Sequence, residues 1–443
     1  MITAFCDFRG ELALGAAKHM VRYIFGLGLM AAFAALSGAC ASAQVVYRFS
    51  DKALFDGRYG PVAQVQEKAN SALVACGHSA PLTVDGQFGP GTRTALATLA
   101  TCPAFAPILT GDTEARAGTL TAPYWTALVG GAPPDVDARA RTLMLTYEDT
   151  DYIRMEWNFC QSKPRYNPAG GAKTCFSNDP RSYLTWGPNG ATGGGGREVQ
   201  LILQAIDAAS PDKLATSFGS EQDAVRRMFK MLDRTADRTL ETYLCGVWAN
   251  PSRREAWKTG FQTIGRVAAV RATFDNLYKS ASLDGGKIRT FMNAYAANGR
   301  VPTEIDYAFF KDRSAHTSPE LTPIRNAIAD VLRTDPQAPA WKVRRAIALK
   351  VRPTAQRTDR LGRDVAFYID GATLTGLSAE ERQAWTGRGK LHASDVGLSD
   401  SRSFATFTPG PTIVTTIANP ATLTSAERAA CPAAVLATQR PPH

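Results

Sequence analysis

LMLTYEDTDYIRMEWNF, Leu143 to Phe159, and DPRSYLTWGPNGATGGGG, Asp179 to Gly196, are the two stretches on which the fold turns. From Ser182 onward the second combines aromatic and Thr residues with Gly187-Pro188-Asn189-Gly190 and a run of four glycines, which predicts a β-hairpin with tight loops. In the first, Glu148 and Asp149 read as the acidic end of a helix. Glu156 is expected on that same helix, about two turns on and on the same face as Glu148. Working outward, Ser220 and Asp223 resemble a capping box ahead of Val225, Met228, Phe229 and Leu232 at helical spacing. Trp257, Phe261, Ile264, Val267, Val270, Phe274 and Leu277 predict one longer helix. Stripes of this kind are core faces. The middle of the chain is therefore expected to be mostly helical with one small sheet.

The chain has 443 residues, 44% of them hydrophobic, with 50 Lys plus Arg against 40 Asp plus Glu. This is globular composition with material for two domains, and it excludes a wholly disordered or multi-spanning membrane protein. The net charge of +10 comes without a long Lys/Arg run, so no nucleic-acid arm is expected and the partner should be an anionic surface or polymer. MVRYIFGLGLMAAFAALSGACASAQ, from Met20, reads as a secretory signal peptide with an A-x-A site at Ala41-Ser42-Ala43, so residues 1–43 should be a leader. Met20 suits a start better than Met1, because Asp7 and Glu11 fit an n-region poorly. Export to the periplasm or beyond follows, with no membrane span after cleavage. Cys40 sits in a lipobox-like LSGAC, but Ser37 stands where Leu is usual. Without Cys6 and Cys40 an even set of cysteines enters an oxidising compartment, where Cys76–Cys102 and Cys160–Cys175 would close local loops and leave Cys245 for Cys431. GGAPPDVDA, residues 130–138, reads as a linker, and residues 403–443 as a Thr/Ala/Pro-rich tail.

No HExxH, GxSxG or Walker sequence occurs, and past the leader the histidines are His78, His316, His392 and His443. No cofactor or metal is implied. Carboxylates remain, and two of them, one as acid and one as base, nucleophile or charge stabiliser, suffice to cut a glycosidic bond. Glu148 with Asp179 is the leading pair, with Glu156 the rival acid. Asp312 and Arg181 read as a structural ion pair or as substrate contacts.

Val65 to Cys102, with its Asp85-Gly86 turn, Phe88-Gly89-Pro90, Thr92, Ala95 and Leu96, and with Leu120 to Leu128 around Trp125, resembles the peptidoglycan-binding domain of cell-wall hydrolases. Thr92 is expected to cap a helix there. Asp179, Tyr183 and Thr185 are similar in spacing to the Asp-x-x-x-Tyr-x-Thr of phage-type lysozymes, and Asp179, Arg181 and Tyr183 resemble the corresponding run of chitosanases of the same superfamily. TEIDYAFFKDRSAH, ending at His316, is similar as well. The resemblance implies a mainly α protein: a three-helix peptidoglycan-binding domain over 60–130, then a lysozyme-like α+β domain over 140–402. Glu148 would be the acid, Asp179 the second carboxylate and Thr185 the water-positioning hydroxyl, with Arg181, Tyr183 and Asn189 contacting the glycan strand of peptidoglycan. A chitosanase-like hydrolase and a non-catalytic wall-binding scaffold are the alternatives.

Overall fold

The computed structural model describes residues 43–78, 81–159, 182–232, 238–351, 360–368, 376–386, 390–413, 416–417 and 419–433. The leader, Asp179, Arg181, Cys160 and Cys175 lie outside the described residues. The chain is mainly helical with small antiparallel sheets.

The N-terminal module begins before residue 60. Strand β1 (Val45–Tyr47) pairs with β4 (Leu120–Thr121), and β2 (Leu54–Phe55) with β3 (Gln87–Phe88). Helices Pro61–Ala75, Pro90–Leu99 and Ala122–Leu128 pack between them, with a short turn of helix at Thr113–Arg116. Three helices each carry Pro at the first turn, where the missing N–H costs nothing. The Asp85-Gly86 turn is held by Gln66, from the helix before it. Gln66, buried, accepts from the Asp85 and Gly86 N–H groups at 3.0 and 2.9 Å and donates to Asp85 Oδ1 at 2.8 Å. Gly86 has φ +75°, and a Cβ there would stand 2.2 Å from the Gly57 carbonyl, so only glycine fits. Thr92 does not cap its helix. Its hydroxyl donates to the Gln87 carbonyl at 3.1 Å instead, and Gly89 is the N-cap.

Residues 130–138 are only partly a linker, because Asp135 caps the helix Val136–Glu148 by accepting from Ala138 N–H at 2.8 Å. That helix ends at Glu148, with Asp149 left-handed at φ 48°. Glu156 is therefore not on it: Glu156 lies in β5 (Met155–Trp157), which pairs with β6 (Ser182–Trp186), itself paired with β7 (Ala191–Gly194). The hairpin expected from Ser182 to Gly196 forms, with Gly187 and Gly190 both at positive φ in its turn.

Helices Glu198–Ala209, Pro211–Phe218, Gln222–Phe229, Thr239–Ala249, Pro251–Gly265 and Ala268–Tyr278 close over this sheet around one aromatic-rich core. Ser220 makes no capping box; it lies in a turn of 3-10 helix, Gly219–Glu221, that precedes the helix. The stripe from Trp257 to Leu277 is two helices, not one. A Cβ on Gly265 would meet the Tyr152 carbonyl at 2.0 Å, so the chain passes tightly over Tyr152 and turns, with Val267 in extended backbone ahead of the next helix. The stripe residues are nonetheless core: Trp257, Phe261, Ile264, Val270 and Phe274 are fully buried.

A second core joins the N-terminal module to helices Val136–Glu148, Asp284–Ala296, Glu304–Ser314, Leu321–Thr334, Ala340–Lys350 and Arg360–Val365. Glu304–Ser314 is buried on nearly all sides, and its charges are consequently paired. Asp306 meets Arg344 at 2.8 Å, Asp312 meets Arg363 at 2.6 Å, and Arg313 meets Asp364. Asp400 closes on Arg344 at 2.7 Å. The described residues after 403 make anchoring contacts. Phe404 and Phe407 pack on the Tyr307 ring, and helix Ser425–Ala430 lies against Thr239–Ala249 beside the Cys245–Cys431 disulfide, Cα atoms 5.2 Å apart. Among the described residues Cys76 and Cys102 also form a disulfide, with Cα atoms 6.1 Å apart. Among the described residues no helix is long and apolar enough to cross a membrane.

Candidate functional site

Glu148 ends its helix at the junction of sheet, N-terminal module and buried helices. Its carboxylate Oε1 is 2.7 Å from His316 Nε2 and 2.6 Å from the Arg363 guanidinium, with its side chain 16% exposed. Arg363 is fully buried and is shared, since Asp312 Oδ1 lies 2.6 Å from the same nitrogen. Burial opposes the guanidinium charge, but Asp312 and Glu148 outweigh that and hold Arg363 above its ordinary range. Next to this network Asp364, bonded to Arg313 and Arg360, is pushed up to about 7 by burial.

Thr150, two residues beyond Glu148, donates to the Gly187 carbonyl at 3.1 Å and so ties the helix end to the hairpin turn. On the sheet Thr185 faces Glu156 across β5 and Thr192 across β7. Its hydroxyl accepts from Asn158 Nδ2 at 2.9 Å, the same nitrogen that reaches Ser182. Glu156 pairs with Arg154 at 3.0 Å. Tyr183 is core, stacked on Phe159 with ring centroids 5.8 Å apart. Asn189, at the tip of the turn, faces a cleft.

The cleft has two connected parts. A cavity of about 430 Å³ runs between the loop before helix Pro61–Ala75, helix Val136–Glu148 and helix Ala268–Tyr278. A second, of about 240 Å³, shares Asn189, Tyr278 and Asp284 with the first and continues along Gly190, Thr192 and Glu198 to Ala315, the neighbour of His316. Its carboxyls sit in contrasting environments. Burial raises Glu198, whose Oε2 accepts from Thr192 N–H at 2.9 Å, and nearby Asp284 adds to the rise. Burial would also raise Asp137, but Lys311 and Lys279, at 2.7 and 2.8 Å, hold it well below the usual carboxylate range. Asp275 bonds to both Arg141, at 2.9 Å, and Tyr152. Burial thus disposes two carboxyls of the cleft, Glu198 and Asp56, to keep a proton, while two lysines hold Asp137 as an anion, a contrast suited to acid-base chemistry. No cluster of His, Cys, Asp and Glu fit for a metal is found among the described residues.

Of the residues expected from sequence, Asn189 lines the cleft, Glu148 lies in the His316–Arg363 network, Thr185 lies on the sheet, Tyr183 serves the core, and Asp179 and Arg181 lie outside the described residues. His316, Arg363 and Glu198 were not anticipated. His316 closes the TEIDYAFFKDRSAH segment, but its partner is 168 positions away in sequence. Comparison with protein-family models, with curated proteins and with solved structures finds no match for this chain.

Proposed function

We propose that this protein is an exported glycoside hydrolase that cuts the glycan strand of peptidoglycan, a lysozyme-like domain working beside a peptidoglycan-binding module. The observation that carries the reading is Glu148: a carboxyl at a helix end, mostly buried, gripped by His316 and Arg363, on a helix whose end Thr150 ties to the turn of a three-stranded sheet. Glu148 donates the proton to the leaving oxygen, and Asp179 supplies the second carboxylate. A general acid has to carry a proton before giving it up, and Arg363, shared by Glu148 and Asp312, works against that by favouring the Glu148 anion. Thr185, oriented by Asn158, positions water. The net positive charge, which persists without the leader, draws the protein to envelope polymers bearing carboxylates or phosphates.

A chitosanase-like reading has its own support, since Asp135, Asp137, Asp275, Asp284 and Glu198 line the cleft and would suit a glucosamine polymer. Release of reducing ends from purified peptidoglycan and from chitosan, by the wild type and by Glu148→Gln, tests the enzyme and separates the two substrates.

A further inference from the structure

The larger cavity has walls of different origin. Tyr59, with its neighbours Gly60 and Pro61, comes from the N-terminal module, and Arg271, in contact with Tyr59, comes with Tyr278 from helix Ala268–Tyr278. Tyr59 is 40% exposed, although it lines a cavity. The Arg271 guanidinium lies 4.2 Å from its ring centroid, and that guanidinium is itself held, donating to the carbonyls of Gly265 at 3.3 Å and Arg266 at 2.5 Å. The result is an aromatic ring steadied from one side before any ligand arrives, so little conformational freedom remains to be lost on binding. Pyranose rings present apolar C–H faces edged by hydroxyls. A braced Tyr beside cleft carboxylates and amides matches both parts of that surface.

The two modules meet closely enough for the wall to be stable. Phe55 N–H donates to Thr146 Oγ1 at 2.9 Å, Tyr47 OH bonds Thr142 at 3.2 Å, and a Cβ on Gly57 would touch Asp151 at 3.1 Å. The N-terminal module shares its hydrophobic core with the helix that ends at Glu148.

We infer that Tyr59, braced by Arg271, is a sugar-stacking subsite, so that the N-terminal module forms one wall of the glycan groove in addition to any tethering role. This rests on the glycan-hydrolase reading for its ligand class, but not on catalysis.

The test is titration calorimetry of the full chain, in the Glu148→Gln background, with soluble peptide-free peptidoglycan strands and with chitosan hexamer. Tyr59→Ala should weaken binding of one of these about three- to tenfold, and Tyr59→Trp should retain it. Arg271→Ala should weaken binding too, and the double variant should lose little more than Tyr59→Ala, because both residues make one platform. Melting temperatures are measured alongside; should Tyr59→Ala not fold, Tyr59→Leu, which keeps bulk but not the ring, takes its place. Wild-type affinity in a folded Tyr59→Ala or Tyr59→Leu overturns the subsite while leaving the hydrolase reading intact. Binding that depends on Tyr59 in a protein whose wild type releases no glycan fragment overturns the hydrolase reading and keeps the subsite. A chain that binds neither oligomer overturns the subsite.

Discussion

The Arg363 guanidinium, wholly buried, lies 2.6 Å from the Glu148 carboxylate. A buried cation of this kind is tolerated only because anions surround it, and removing it strands both Glu148 and Asp312. Arg363→Met should destabilise the protein by about 3–5 kcal/mol in denaturant unfolding, the range for breaking a buried pair. Arg363→Lys, which keeps the charge but loses the fork that reaches two carboxylates, should fall between. A loss below about 1 kcal/mol for Arg363→Met would contradict the ion-pair account.

Asp56 provides a pH test of how the N-terminal module is held. It is buried, and desolvation pushes its carboxyl up from 3.8 to about 7, even though Val62 N–H donates to it at 2.9 Å. The folded state therefore keeps a proton that the unfolded chain gives up. Stability from this group is complete below about pH 4 and is lost as pH rises through about 7, on the order of 4 kcal/mol in all. Thermal melts of the wild type should show this fall, and Asp56→Asn should flatten it. An unchanged slope in Asp56→Asn would reject the assignment.

Gly86→Ala tests whether the Asp85-Gly86 turn is scaffold. Its added Cβ would stand 2.2 Å from the Gly57 carbonyl at a φ of +75°. Strain and overpacking together should cost roughly 2–4 kcal/mol. Gly91→Ala is the control, with only Leu82 within reach, 3.9 Å away. Equal melting temperatures for the two variants would mean that the turn is not under steric constraint.

Cys245–Cys431 pins helix Ser425–Ala430 across 186 residues of chain. Replacing both cysteines with Ser should cost about 2–5 kcal/mol and leave residues after 403 open to limited proteolysis. If proteolysis is unchanged, the Phe404 and Phe407 contacts with Tyr307 suffice to hold this segment.

Local features were legible in the sequence and distant ones were not. The Gly187 to Gly190 turn announced its hairpin because Pro-Asn-Gly permits little else, and the stripes from Val225 to Phe274 marked core because burial follows helical period. The break at Gly265 was invisible, since it depends on the Tyr152 carbonyl lying against that glycine. Glu156 was misplaced onto a helix because a spacing of eight residues fits two turns equally well when the left-handed Asp149 is not foreseen. Glu148 stood out as a carboxyl at a helix end. Its partners His316 and Arg363 could not be named, because ion pairs between elements leave no periodicity. Residues after 403 looked like a tail because Thr, Ala and Pro carry no helical stripe, and their anchors are two phenylalanines and a disulfide.

Purified wild type and Glu148→Gln, each confirmed folded by circular dichroism, should be incubated with peptidoglycan and with chitosan, and the new reducing ends counted. The account predicts steady release by the wild type from one of the two, and a loss on the order of a hundred- to ten thousand-fold in Glu148→Gln, as befits removal of a general acid. Glu156→Gln, whose carboxylate pairs with Arg154 at 3.0 Å, should stay near wild type. Undiminished release by a folded Glu148→Gln, or no release by the wild type from either polymer, would contradict it.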